Sequence, residues 1–153
     1  MNIVVHRGTH QIGGSAIEIS TESTRIILDF GNELTLDEMY TPNKLDIDGV
    51  TKGIPNCDGI VISHYHMDHL GQLTSTIPEV PLYMGELGKE IALIGAEYQD
   101  KDLYLRLLGA NTFRGGEVFT IGDICIRPLV VDHSAADSYM FLIEADGKRI
   151  LYT

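Results

Sequence analysis

Short apolar runs separated by polar turns open the chain, at residues 3–6, 15–20 and 25–30. Such runs predict β-strands, and the polar turn at 21–24 joins the second run to the third. Residues 32–57 are polar and contain two prolines and two glycines, so we predict a long loop with one helical turn near 36–40. A loop of that length within a compact domain is usually functional.

The middle of the chain alternates strand and helix patterns. The continuous apolar run at 59–63 is typical of a strand buried on both faces, and 81–84 predicts another strand. Between them, residues 69–77 predict a short helix that Pro78 ends. Together these segments predict a βαβ arrangement.

A longer helical stretch is predicted over residues 86–108. Its apolar positions are spaced by four, three and four residues and form one stripe, which consists of Leu87, Ile91, Ile94 and Tyr98. The polar triplet at 100–102 is expected to split the stretch in two, and Gly109 is a candidate C-terminal cap.

The last third of the chain returns to strand patterns. Four runs at 117–121, 124–131, 138–144 and 149–152 are separated by turns, two of which contain Gly122-Asp123 and Asp146-Gly147. The order of β-rich, βαβα and β-rich segments predicts a mixed α/β domain with helices over a sheet. Because the chain stops inside a predicted strand, we expect residues 1–153 to be one domain truncated at its C-terminus.

Composition and charge narrow the class of protein. With 153 residues, 44% of them hydrophobic and 22% charged, the chain has the size and composition of one ordinary globular domain. It has neither a membrane-length apolar run nor a signal-peptide layout at its N-terminus, so we expect a cytoplasmic protein without membrane contact. The net charge of −11 argues against non-specific nucleic-acid binding. A nucleic-acid enzyme remains open, because a metal site can supply local positive charge.

Three of the six histidines fall within six positions, in the segment Ser63-His64-Tyr65-His66-Met67-Asp68-His69. This H-x-H-x-D-H pattern follows a predicted strand and precedes a predicted helix. In an extended segment His64 and His66 point the same way and can share one metal ion, while Asp68 and His69 can face a second ion beyond the turn. A histidine-rich surface loop is the alternative. Cys57 and Cys125 form no C-x-x-C pair and are expected to be buried or free thiols.

The chain resembles the metallo-β-lactamase superfamily of metal-dependent hydrolases. The resemblance rests on the H-x-H-x-D-H segment and on two flanking motifs, Leu28-Asp29-Phe30-Gly31 and Val131-Asp132-His133-Ser134. It implies a first metal held by His64, His66 and His133, and a second held in part by Asp68 and His69. It also implies a catalytic role for Asp68 and a supporting role for Asp29 behind the metal ligands. The implied fold is an αββα sandwich, of which this chain covers the first half and the start of the second.

Within this superfamily the chain is similar to the ribonuclease J-like and β-CASP nucleases. The similarity lies in residues 64–83 and in the run from Val131 to Ser138, followed by an apolar strand and Asp146-Gly147-Lys148. It implies a zinc-dependent phosphodiesterase that processes RNA with a metal-bound hydroxide. This activity is expected of the complete protein, and the 153 residues alone can be inactive. Two zinc ions are implied per complete site, and manganese or iron would also suit these ligands.

Two other functions remain open at this stage. One is a small-molecule hydrolase of the same superfamily, acting on a lactone or a thioester, which the acidic composition favours. The other is a metal-binding fragment without catalytic activity, since the second metal would have only two of its ligands. An unfinished second half would also expose an apolar sheet, which predicts self-association.

Overall fold

The structure is a computed structural model that describes residues 1–34 and 43–153. The helical turn predicted near 36–40 lies outside the described residues. The strands are β1 (Asn2–Arg7), β2 (Ala16–Ser20), β3 (Arg25–Leu28), β4 (Gly59–Ile62), β5 (Leu82–Gly85), β6 (Asn111–Phe113), β7 (Phe119–Ile121), β8 (Ile124–Val130), β9 (Tyr139–Ala145) and β10 (Lys148–Tyr152). The helices are α1 (Met67–Leu70), α2 (Glu86–Gln99) and α3 (Lys101–Leu108), with a 3-10 turn at Leu73–Ser75.

The strands form two sheets. The first has the order β1-β2-β3-β4-β5-β6, antiparallel from β1 to β3 and parallel from β3 to β6. The second has the order β10-β9-β8-β7 and is antiparallel throughout. The parallel strands bring the ends of β3 and β4 to one edge of the first sheet, and the segments that follow them carry Asp29 and the histidine motif.

Two apolar cores separate three layers of structure. One lies between the helices and the first sheet, and the other lies between the two sheets. Strand β4 contributes to both, because Ile60 and Ile62 pack in the first core and Val61 packs in the second. The prediction of a strand buried on both faces is thus confirmed, and so is the mixed α/β order.

The predicted helix over 69–77 is wrong, because the structure has the short helix α1 and a separate 3-10 turn. The carbonyl of His69 accepts a hydrogen bond from the backbone N–H of Phe30 at 2.7 Å, and the N–H of Gln72 donates to the carbonyl of Phe30 at 2.9 Å. These backbone groups would otherwise continue the helix. The segment after β3 therefore ends α1.

The predicted apolar stripe does not face the core. Ile94 and Tyr98 are 66% and 84% exposed, while Gly88 and Ala96 are buried. The face of α2 that meets the first core carries Ala92, Leu93 and Ala96 instead. The predicted break between the helices is confirmed, since the side chain of Asp100 accepts hydrogen bonds from Asp102 N and Leu103 N and caps α3.

Residues of the second sheet that point away from the first are partly exposed, including Leu151 at 53%. Among the described helices, none is both long and apolar enough to cross a lipid bilayer.

Candidate metal centre

Three histidines from two distant parts of the chain converge at one edge of the sheets. His64 and His66 lie in the loop between β4 and α1, and His133 lies in the loop between β8 and β9. Their ligand nitrogens all lie within 4.8 Å of one another. His64 is buried, His66 is half-buried and His133 is exposed, so the cluster opens to solvent on one side.

The closest pair in this cluster fits a shared metal ion. The Nε2 atoms of His64 and His133 lie 3.2 Å apart. Two imidazole nitrogens bound to one tetrahedral zinc at about 2.0–2.1 Å would lie roughly 3.3 Å apart. The donor set of three imidazoles suits zinc and other divalent first-row metals.

Asp68 and His69 form a second group beside this cluster. The Nε2 atom of His69 lies 3.4 Å from Oδ2 of Asp68, and the ring of His69 lies 4.0 Å from the ring of His64. Neither residue belongs to the group of three whose ligand atoms lie within 4.8 Å. The five predicted metal ligands are therefore arranged as three imidazoles and a neighbouring pair.

Asp29 lies behind both groups and is fully buried. Its Oδ1 atom accepts from the backbone N–H of Ser63 at 2.7 Å, and its Oδ2 atom lies 2.7 Å from Nδ1 of His69. The hydroxyls of Ser63 and Tyr152 also donate to Oδ2, at 2.8 and 2.5 Å. A carboxylate that holds Nδ1 of a histidine leaves Nε2 to face the metal site, as is common around metal ligands.

The hydroxyl of Ser63 links the two histidine groups. It lies 3.0 Å from Nδ1 of His64 and 3.2 Å from Nδ1 of His69. In both rings Nδ1 thus has a hydrogen-bond partner within the protein. Nε2 of each ring therefore remains available, which suits metal binding through that atom.

The protonation of these rings follows from their surroundings. Burial lowers the pKa of His64 to about 4, and the neighbouring His69 adds to this, so that His64 is neutral at neutral pH. Neutral imidazole is the form that binds metals. For His69, burial alone would lower the pKa, but the hydrogen bond to Asp29 and the charges of Asp29 and Asp68 outweigh it and raise the pKa.

Close backbone packing fixes the position of Asp68 and His69. The N–H of Gly14 donates to the carbonyl of Asp68 at 3.0 Å. A Cβ atom on Gly31 would lie only 1.6 Å from that same carbonyl oxygen. Only glycine can therefore occupy position 31 while helix α1 lies in this place.

A cavity of about 220 Å³ opens between the histidine loops and the end of β10. Its lining includes His64, His69, His133 and Tyr152. The imidazole cluster therefore borders a cavity.

Two residues of the site, Ser63 and Tyr152, are not predicted from the sequence. Ser63 is the first residue of the histidine motif, and Tyr152 lies in a predicted strand. The position of Ser63 next to His64 is a signal for a supporting role. Tyr152 lies 123 residues from Asp29 along the chain, and no local pattern indicates their contact.

Comparison with known proteins finds relatives over nearly the whole chain. It is 24% identical to ribonuclease J from Helicobacter pylori over 95% of its length, and it covers 22% of that protein. It is 28% identical to an RNase J-like protein from Methanocaldococcus jannaschii over 97% of its length, and it covers 34% of that protein. The chain thus spans between about a fifth and a third of these curated relatives. No protein-family model matches the chain.

Solved structures share its fold at low sequence identity. A protein of unknown function from Enterococcus faecalis gives a TM-score of 0.81 at 22% identity, covering 97% of this chain and 42% of the other. The metallo-β-lactamase fold protein YhfI from Bacillus subtilis gives 0.62 at 15%, covering 97% and 60%. Zinc-bound PqqB from Methylobacterium extorquens gives 0.58 at 16%, covering 91% and 48%. The chain therefore has the fold of the metallo-β-lactamase superfamily, and its sequence is similar to that of ribonuclease J over nearly its whole length.

Proposed function

We propose that this chain carries the metal site of a hydrolase that cleaves phosphodiester bonds in RNA. The observation that carries the proposal is the convergence of His64, His66 and His133 within 4.8 Å. The adjacent Asp68–His69 pair supports it, because a second donor group beside the first suits a site for two ions. Zinc is the proposed metal, with manganese or iron as alternatives that the same ligands accept.

We assign each residue a role. His64, His66 and His133 would hold the first ion through imidazole nitrogens. His69 and Asp68 would hold the second, with His69 oriented by Asp29. Asp68 also has a carboxylate oxygen that can accept a proton from the attacking water. Divalent ions bound there would activate water and neutralise the charge that develops on the scissile phosphate.

RNA is the proposed substrate because of the sequence similarity to ribonuclease J, which extends over 95% of the chain. The fold alone would not favour RNA over a lactone or a thioester, since one fold serves many reactions. The acidic composition is compatible with this substrate if bound metal ions provide the positive charge that phosphate requires.

The test is hydrolysis of labelled single-stranded RNA by the full-length protein that contains this chain, first freed of metal with a chelator and then supplied with zinc or manganese. A lactone and a thioester are assayed in parallel. The variants are His64→Ala and the control His6→Gln, since His6 bonds to Glu18 at 2.8 Å and not to the cluster.

We expect metal-dependent cleavage of RNA by the wild-type protein and by His6→Gln, and at least a hundredfold less by His64→Ala. Turnover of the lactone or the thioester without RNA cleavage would overturn the proposed substrate. Metal binding without any turnover would overturn the proposed activity in favour of a non-catalytic metal site. Equal RNA cleavage by His64→Ala and wild type would overturn the assignment of the site.

A further inference from the structure

His133 lies on an exposed loop, unlike the two histidines that follow β4. This loop, residues 131–138, has no regular secondary structure. It is closed at its base by a hydrogen bond from Val131 N to the carbonyl of Ser138 at 3.0 Å. A metal ligand on such a loop needs contacts that fix the loop against the rest of the protein.

One residue of the loop, Asp137, makes these contacts from an unusual backbone conformation. Its φ of 61° lies in the left-handed region, which aspartate tolerates better than most residues. Its Oδ2 atom accepts from the backbone N–H of Gly88 at 2.8 Å. Its Oδ1 atom accepts from the hydroxyl of Tyr139.

The contact with Gly88 caps the start of helix α2 with a side chain from another part of the chain. The N-cap residue of α2 is Gly85, which has no side chain to bond the free N–H groups of the first turn. A carboxylate from the loop satisfies one of them and interacts favourably with the positive end of the helix. The loop that carries His133 is thereby attached to the longest helix of the described chain.

Gly85 makes room for this carboxylate. A Cβ atom on Gly85 would lie 2.3 Å from Oδ2 of Asp137 and 2.6 Å from a ring carbon of Tyr139. A Cβ atom on Gly88 would lie 3.5 Å from the same oxygen, in ordinary contact. The start of α2 is therefore shaped to receive Asp137.

A second contact ties the same loop to the histidine motif. The N–H of Ala136 donates to the hydroxyl of Tyr65 at 3.2 Å, and Tyr65 lies between His64 and His66 in the chain. The backbone N–H of Tyr139 donates to the carbonyl of Ser63 at 3.1 Å. The loop thus has three attachments near the cluster, of which only Asp137 contributes a charged side chain.

We propose that Asp137 is a positioning residue that holds His133 in place for metal binding by docking its loop onto the start of α2. The inference rests on the metal site in the proposed function, but not on RNA cleavage. Without the carboxylate, His133 would sample positions away from His64, and the metal would lose one of its three imidazoles for part of the time.

The test is the affinity of the metal-free protein for zinc, measured by competition with a chromogenic chelator. Asp137→Gly removes the carboxylate and tolerates the positive φ, so that backbone strain does not confuse the result. Asp137→Asn keeps an oxygen that can accept from Gly88. Asp146→Gly is the matched control, because Asp146 also has a positive φ, of 50°, but lies in the hairpin between β9 and β10.

We expect Asp137→Gly to weaken zinc binding by about tenfold or more, in the range found for residues that orient metal ligands. Asp137→Asn should stay within about threefold of wild type, and Asp146→Gly should match wild type. In a His133→Ala background, Asp137→Gly should cause no further loss, since its effect acts through that ring. Circular dichroism at the assay temperature confirms that each variant is folded.

Wild-type affinity in Asp137→Gly would overturn the inference, and so would an equal loss in the His133→Ala background. No change on His133→Ala alone would overturn the metal site and the inference with it. These measurements contain no RNA, so a protein that binds zinc as expected but fails to cleave RNA would overturn only the proposed substrate and activity.

Discussion

Nδ1 of His69 lies 2.7 Å from Oδ2 of Asp29, although forty residues separate them in the sequence. The contact connects the end of β3 to the start of α1 and turns Nε2 of His69 towards Asp68. Asp29 has a φ of 57°, so its backbone is in the left-handed region while its side chain points into the protein. The motif Leu28-Asp29-Phe30-Gly31 therefore acts as a support behind the histidines.

Replacing Asp29 by asparagine should weaken metal binding. Asparagine fits the positive φ, but it has one acceptor oxygen where Asp29 uses two. We expect the affinity for the ion beside His69 to fall about 10- to 100-fold, as is typical for partners of metal-binding histidines. Calorimetric titration of the metal-free variant with zinc measures this, and wild-type affinity would contradict the supporting role.

Tyr152→Phe should weaken metal binding less than Asp29→Asn does, and it should slightly lower the stability of the fold. It removes one of the donors to Asp29 Oδ2 and leaves those from Ser63 and His69. We expect the free energy of unfolding to fall by about 1 kcal/mol. Chemical denaturation measures the loss. A larger loss of metal affinity than in Asp29→Asn would show that Tyr152 has a role beyond this hydrogen bond.

Gly31→Ala should destabilise the protein strongly. Its Cβ would lie 1.6 Å from the carbonyl oxygen of Asp68, so the backbone of α1 would have to move. We expect a loss of about 3 kcal/mol or more in the free energy of unfolding. Gly95→Ala is the matched control, because a Cβ atom there contacts nothing within 4 Å. Since Gly95 lies in helix α2, this change should raise the free energy of unfolding by about 0.5–1 kcal/mol. Equal stabilities in urea unfolding would contradict the packing described here.

Glu18 should contribute stability that is lost in acid. Burial alone would raise its pKa, but the hydrogen bonds from Arg25 and His6 outweigh burial and lower the pKa below the usual value near 4.5. A carboxylate whose folded-state pKa is lowered stabilises the protein above pH 4.5, and the contribution disappears as the pH falls through the folded-state pKa. Glu18→Gln should therefore lower the free energy of unfolding by about 1–2 kcal/mol at pH 7 and by less below pH 4.5.

Urea unfolding of Glu18→Gln between pH 3 and pH 7 tests this dependence. Glu144→Gln is the control, because Glu144 pairs with Arg149 on the surface and should change stability by no more than about 0.5 kcal/mol. If Glu18→Gln lost the same amount of stability relative to wild type at every pH, the result would contradict the lowered pKa of Glu18.

Cys57 should resist thiol reagents in the folded protein. Burial raises its pKa to about 11, so only about one thiol in a thousand is ionised at pH 8. Cys125 is half-buried and more accessible. Mass spectrometry after limited alkylation at pH 8 should show modification of Cys125 first, and earlier modification of Cys57 would contradict its burial.

Much of the local structure followed from the sequence. The sequence predicts strand β4, the break between α2 and α3 and the two hairpins of the second sheet, because their signals are local. These signals are an apolar run, the polar triplet at 100–102 and the turns at Gly122-Asp123 and Asp146-Gly147. The H-x-H-x-D-H segment gave four of the five candidate ligands by spacing, and the family resemblance added His133. Their roles as metal ligands stay a prediction.

Long-range contacts were not accessible to the same reasoning. The end of α1 depends on hydrogen bonds to Phe30, and the hydrogen bond from Tyr152 to Asp29 joins residues that lie 123 positions apart. The exposed stripe on α2 misled the prediction because helical spacing of apolar residues does not show which face meets the sheet. The face that meets the first core carries Ala92, Leu93 and Ala96.

The most direct test of the account is a zinc titration of the metal-free protein and of His64→Ala, His133→Ala and His6→Gln. If His64 and His133 share one ion, as their 3.2 Å separation indicates, each alanine variant should lose at least about a hundredfold in affinity for the first zinc. His6→Gln should bind as wild type does. Wild-type affinity and stoichiometry in both His64→Ala and His133→Ala would contradict the metal centre on which the proposed function depends.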